Sequence, residues 1–75
     1  MHIVIAKMDE VLFEGEAKSL TVPGSAGEMT ILSHHEPLIT TLKPGRIVVR
    51  TDIEQEFPVT EGVLEINSAG ATVIL

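Results

Sequence analysis

Turn-forming residues punctuate this chain about every ten positions. They are Gly15, Pro23-Gly24, Ala26-Gly27, Pro37, Lys43-Pro44-Gly45, Pro58, Gly62 and Gly70. Between them lie short runs rich in Val, Ile, Leu and Thr, the side chains that pack well on a pleated surface. The longest stretch free of Gly and Pro, Arg46 to Phe57, is itself rich in β-branched residues. Only Met8, Val11 and Leu12 show helical spacing, and Gly15 cuts that pattern short. Alternation with period two is clearer. Leu20 and Val22 oppose Ser19 and Thr21, Ile47 and Val49 oppose Val48 and Arg50, and Leu64 and Ile66 oppose Val63 and Glu65. Each set belongs to one face of a strand. The expectation is an all-β fold, a small two-sheet β-sandwich of about ten short strands. With no linker, repeat or low-complexity segment, residues 1–75 read as a single domain.

Length makes that core precarious. A chain of 75 residues buries only about 60% of the surface its unfolded form exposes. Zero Cys removes disulfide staples and thiolate metal sites. Two Phe with no Trp or Tyr leave a core of Ile, Val, Leu and Met. A small unstapled domain often leans on a partner. Several strands are apolar on both faces: Ile3 and Val4, Ile31 and Leu32, Val48 and Val49, Val73 and Ile74. A sandwich strand needs one buried face, so the remainder forms an outer surface of the kind that marks binding. Such a face could pair with itself when the chain is isolated.

Eleven acidic against five basic residues leave a formal charge of −6. Binding to a phosphate backbone needs clustered Lys and Arg, and the basic residues here are scattered, so nucleic acid is not an expected partner. Purely apolar runs reach about four residues, as in Ile3 to Ala6, whereas a helical span needs about 20. No direct membrane insertion is expected. The apolar run after Met1 is short and lacks a basic leader. A soluble, intracellular chain is the expectation.

Candidate chemistry is sparse. Ser33-His34-His35-Glu36 is the densest polar group. A zinc reading wants His spaced to reach one ion, as in H-E-x-x-H on a helix. Adjacent His in extended chain point apart, Pro37 forbids a helix interior, and His2 could join only by folding close. Ser33, His34 and Asp52 could be written as a triad, but no nucleophile elbow supports it. Pro23 to Glu28 is Gly-rich without the Lys-Ser/Thr of a phosphate loop; it reads as a turn presenting Glu28 at its rim. Lys43-Pro44-Gly45 reads as a tight turn with Gly45 at positive φ.

Taken together, several segments follow one order and spacing: Phe13-x-Gly15, Pro23-Gly24-Ser25-x-Gly27-Glu28, Ile31-Leu32-x-x-His35-x-Pro37-Leu38, Leu42-Lys43-Pro44-Gly45, Gly62-x-Leu64-Glu65 and Thr72-Val73. In this the whole chain resembles the N-terminal β-sandwich of the epsilon subunit of F-type ATP synthases. The resemblance implies a non-catalytic piece of the rotor's central stalk, docking the gamma subunit onto the c-ring and coupling proton flow to ATP synthesis. It implies Glu28, His34 and His35 on the c-ring side, and Thr40 and Leu42 toward gamma. It implies no cofactor and no catalytic residue, and a peripheral place at the cytoplasmic face of a bacterial inner membrane.

Two departures stand out. Ser33-His34 occupies the place where the family usually has Pro-Gly, and Thr30 replaces a common Gly. Family members usually continue into two C-terminal helices that regulate ATP hydrolysis, whereas this sequence stops at Leu75; inhibition and nucleotide binding are therefore not expected of it. The rival readings are a lipoyl- or biotin-type carrier domain, for which Lys18 would be the attachment point, another small β-sandwich binding module, and a metal enzyme at His34 and His35.

Overall fold

The computed structural model describes residues 1–75 and contains nine strands. In chain order they are β1 (His2–Lys7), β2 (Glu10–Glu16), β3 (Ser19–Gly24), β4 (Gly27–Ile31), β5 (Leu38–Leu42), β6 (Gly45–Arg50), β7 (Glu54–Val59), β8 (Gly62–Asn67) and β9 (Gly70–Ile74). Nine strands agree with the expected sandwich of about ten, and the chain from Leu32 to Pro37 runs as turn and irregular backbone. Gly15 lies within β2 rather than at a turn.

Hydrogen bonding links the strands in the order β2-β1-β9-β8-β5-β3-β6-β7, with β4 on the other side of β3. All pairs are antiparallel except β1 with β9, which is parallel. The β3–β5 pairing is a single bridge, Gly24 to Leu42. There the continuous sheet folds over itself. It therefore makes two layers, β2-β1-β9-β8-β5 and β4-β3-β6-β7, as expected for a sandwich. At the opposite side Phe13 of β2 and Phe57 of β7 meet edge-to-face, centroids 6.3 Å apart, and close the layers.

Alternation decides what lies between them. Ile3, Ile5, Leu64, Ile66, Ala71 and Val73 from the first layer meet Leu20, Val22, Ile31, Ile47, Val49 and Val59 from the second. The strands apolar on both faces divide as period two requires. Ile3, Ile31, Val49 and Val73 are fully buried, while Val4 and Val48 are half-buried and Leu32 and Ile74 exposed on the outside.

Two glycines allow close approach within the second layer. A Cβ on Gly24 would sit 2.8 Å from the carbonyl oxygen of Gly27, and one on Gly45 would sit 2.9 Å from Pro23 Cβ. The expected positive φ at Gly45 is not found; positive φ among glycines belongs to Gly27 and Gly70. The close approach of the Pro23 ring, not turn handedness, explains Gly45.

Candidate functional site

The two outer faces differ in chemistry. On the second layer, the outward side chains of β6 and β7 are tied by ion pairs. Arg46 Nη1 donates to Glu56 Oε1 at 2.8 Å, and Arg50 pairs with Glu54. Thr21 and Thr30 share a hydroxyl hydrogen bond of 3.0 Å on the β3–β4 side. This face is charged and hydroxyl-rich, and these groups pair with one another.

The first layer turns out an apolar row. Pairing places Val11 of β2 beside Ala6 of β1, Ala6 beside Ile74 of β9, Ile74 beside Val63 of β8, and Val63 beside Thr41 of β5. Strands lie about 4.8 Å apart, so the apolar positions from Val11 to Val63 span about 14 Å, with Thr41 one strand further. Relative exposures are 56% for Val11, 53% for Ile74 and 40% for Val63. The next row, Glu14–Val4–Thr72–Glu65–Ile39, is mixed. The third begins with Glu16 and His2 and is polar. The face thus grades from apolar at the end bearing the β1–β2 turn to charged at the other. None of these apolar positions is needed for the core, which the opposite parity of each strand supplies.

At the polar end, the N-terminal ammonium donates to Glu16 Oε1 and to the Ala17 carbonyl, each at 3.2 Å. That hydrogen bond, then the ammonium charge, then His2, hold the Glu16 carboxyl below its ordinary value. His2 lies between two carboxylates, with Nε2 3.5 Å from Glu14 and Nδ1 3.4 Å from Glu16.

The same end holds an open groove of about 450 Å³ between the Leu32–His35 loop and the β8–β9 turn. Here the fold does bring His2, His34 and His35 to one groove, yet no three His, Asp or Glu side chains converge as metal ligands would. His34 has φ 68, a left-handed conformation that favours glycine. This is the position where Ser33-His34 stands in place of the family's Pro-Gly. Asp52 pairs with Lys18 at 3.6 Å and lines a different groove from Ser33 and His34, so no triad assembles. Lys18 sits on the β2–β3 connection, engaged by Asp52.

The expected site residues separate. Glu28 is exposed on β4, next to the β3–β4 turn, paired with Pro23. His34 and His35 follow the far end of β4, so the three lie at opposite ends of one edge strand. On β5, register with β8 turns Leu38, Thr40 and Leu42 toward the core and Ile39 and Thr41 outward. Leu42 is 6% exposed and belongs to the core. Thr40 is half-buried. Surface on this strand is offered by Ile39, 70% exposed, and by Thr41. Sequence reasoning named Ile74 on a two-faced strand and set Val63 opposite Leu64 and Ile66, but it did not join them to Val11 and Ala6. That juxtaposition depends on the parallel β1–β9 pairing.

Comparison with known proteins gives a consistent result. A family model described as "ATP synthase, Delta/Epsilon chain, beta-sandwich domain" matches residues 1–75. An ATP synthase epsilon chain from Bordetella parapertussis is 40% identical over 76 residues, covering 99% of this chain and 54% of that protein. One from Herminiimonas arsenicoxydans is 40% identical, with 99% and 55% covered. This chain thus spans about half the length of these relatives. Among solved structures, the mitochondrial ATP synthase of Euglena gracilis (OSCP/F1/c-ring) contains a chain superposing with TM-score 0.87 at 22% identity, with 96% of this chain and 48% of that one covered. The central stalk/c-ring structure of Tetrahymena thermophila mitochondrial ATP synthase gives 0.83 at 12% identity, with 97% and 60% covered. At such identities these two likenesses speak to the fold.

Proposed function

This chain belongs to the ATP synthase delta/epsilon β-sandwich family, and from that premise we propose that it serves as a non-catalytic epsilon-type piece of the central stalk, docking gamma onto the c-ring. The observation that carries the reading is the apolar row Val11–Ala6–Ile74–Val63, laid across strands whose other parity fills the core. We assign it to gamma. Strand β5 extends that face through Ile39 and Thr41, with Thr40 and Leu42 supporting them from the inner side. The c-ring side is assigned to the β4 edge, from Glu28 to the His34–His35 loop. Its contact therefore runs along a strand rather than at one tip.

The division of labour is mechanical. A joint that must stay seated while torque passes needs buried apolar contact for affinity and polar contact for register. The bacterial relatives support a peripheral place at the cytoplasmic face of the inner membrane. No helix here is long and apolar enough to cross a membrane.

Calorimetric titration of the chain against gamma tests the assignment. Ile74→Asp should weaken binding at least tenfold, because it puts a charge into the apolar seat. Glu56→Gln, on the opposite face, should leave binding unchanged. If the two variants affect binding equally, or Ile74→Asp binds like the unaltered chain, the first-layer face is not the seat.

A further inference from the structure

One residue at the edge of this face is doubly costly in the isolated chain. Met8 is 93% exposed, more than any other large apolar side chain here. It also sits at φ 55, in the two-residue β1–β2 turn where Gly or Asn is the ordinary choice. A bulky side chain gains nothing there from the fold: the backbone disfavours it and water surrounds it. Strained, exposed positions of this kind cluster where a side chain acts on something outside the fold. The turn adjoins the apolar end of the first layer, two residues beyond Ala6 and three before Val11.

We infer that Met8 is an anchor of the docking face, inserting its thioether into an apolar socket on gamma. The inference rests on the reading that the first-layer face seats gamma. An unbranched, polarizable side chain suits such a socket, since it can adjust to an irregular wall. The surrounding charge specifies the socket's rim. Asp9 and Glu10 follow Met8 in sequence, Glu61 lies on the turn at the same end, and Lys7 is the neighbouring cation. None of these four is engaged in an ion pair within the chain. The local excess is negative, so the matching rim on gamma is basic.

The experiment pairs binding with a chemical footprint, using the full chain and gamma. Met8→Gly removes the side chain while placing at φ 55 the residue most at ease there, so any loss of binding is not a loss of folding. It should weaken binding about ten- to a hundred-fold, the equivalent of leaving one buried apolar side chain unmade. Met8→Leu should bind within a few fold of the original. Hydrogen peroxide supplies the footprint. The thioether sulfur takes one oxygen as the peroxide O–O bond breaks, sulfur is oxidised by two electrons to the sulfoxide, and the peroxide is reduced to water. In the free chain Met8 should oxidise faster than Met1 and Met29, which pack against the core. Bound to gamma, Met8 should be protected. If Met8→Gly binds normally and Met8 oxidises equally fast in the complex, while Ile74→Asp fails to bind, the anchor is refuted and the face stands. If both variants bind normally, face and anchor fall together. If Met8→Gly instead dissolves a dimer seen by sedimentation and leaves gamma binding intact, the occupant is a second copy and the inference is wrong.

Discussion

Two positions on β5, Leu42 and Ile39, should separate core from surface in a single measurement. Leu42 is 6% exposed and lies in the cluster between the layers, at the bridge where the sheet folds over. Truncating a buried leucine removes its transfer energy and leaves a cavity, together about 2.7–5 kcal/mol. Three residues earlier, Ile39 faces outward and is 70% exposed. Complete burial of such a side chain is worth about 1.5–3 kcal/mol, so the third that is buried contributes less than about 1 kcal/mol. A domain of this size has about 4–11 kcal/mol of total stability. Leu42→Ala should therefore consume a large fraction of it, and Ile39→Ala very little. Urea unfolding followed by circular dichroism reads the difference directly. With a slope near 1 kcal/mol per molar, typical of the smallest domains, the midpoint should fall by about 2.7–5 M for Leu42→Ala and by less than about 1 M for Ile39→Ala. In gamma binding the order should reverse once folding is controlled for. Equal destabilisation by the two substitutions would refute the register that turns Leu42 inward and Ile39 outward.

Two further outcomes follow from the polar end. His34→Gly should raise thermal stability slightly, because relief of the left-handed strain, about 1–2 kcal/mol, exceeds the added unfolded-state freedom of glycine, about 0.4–1 kcal/mol. His34→Ala keeps the strain and should not gain, so a melting temperature for His34→Gly at or below that of His34→Ala would sink the account. Glu16 carries a pH signature of known sign. Its folded carboxyl titrates below the ordinary 4.5, chiefly through the hydrogen bond from the N-terminal ammonium. The stabilisation is therefore present above about 4.5 and is lost as pH falls through the lower folded value. Acetylating the N-terminal amine should return the Glu16 carboxyl resonance toward an ordinary midpoint in NMR titration, and an unmoved midpoint would exclude the ammonium as the cause.

Much of the fold was legible because its signals are local. Alternation at Leu20–Val22, Ile47–Val49 and Leu64–Ile66 needs no knowledge of partners to place those side chains inside. The turns at Pro23–Gly27 and Lys43–Gly45 were likewise visible, although Gly45 serves a close approach to Pro23 rather than a positive φ. Non-local pairing was not legible. Nothing in the sequence announces that β1 and β9 run side by side and parallel, yet that pairing joins Ala6 to Ile74 and turns isolated apolar residues into a row. Register was equally hidden on β5, where a shift of one residue exchanges Leu42 for Thr41 at the surface. The helical spacing of Met8 and Val11 has a strand-level cause: it reflects a two-residue turn and the irregular register between Ile5 and Ala6.

The asymmetry between the outer faces connects the size of the chain to its proposed work. Only 17 of 75 residues are buried, so the margin of stability is small. Even so, the first layer leaves Val11, Ile74 and Val63 in water, while the second layer's outer face carries ion pairs of its own. A chain selected only to fold alone would gain by making the first face polar as well. A partner that covers the apolar row changes the balance through mass action, adding about 2.7 kcal/mol when it is present at a hundred times its dissociation constant. That is comparable to the loss of a buried core leucine. The carboxylates bordering the row would meanwhile repel a second copy of this acidic chain and favour a basic rim. Stability and partner choice are thus set by the same few outward positions, so substitutions there should move docking far more than folding.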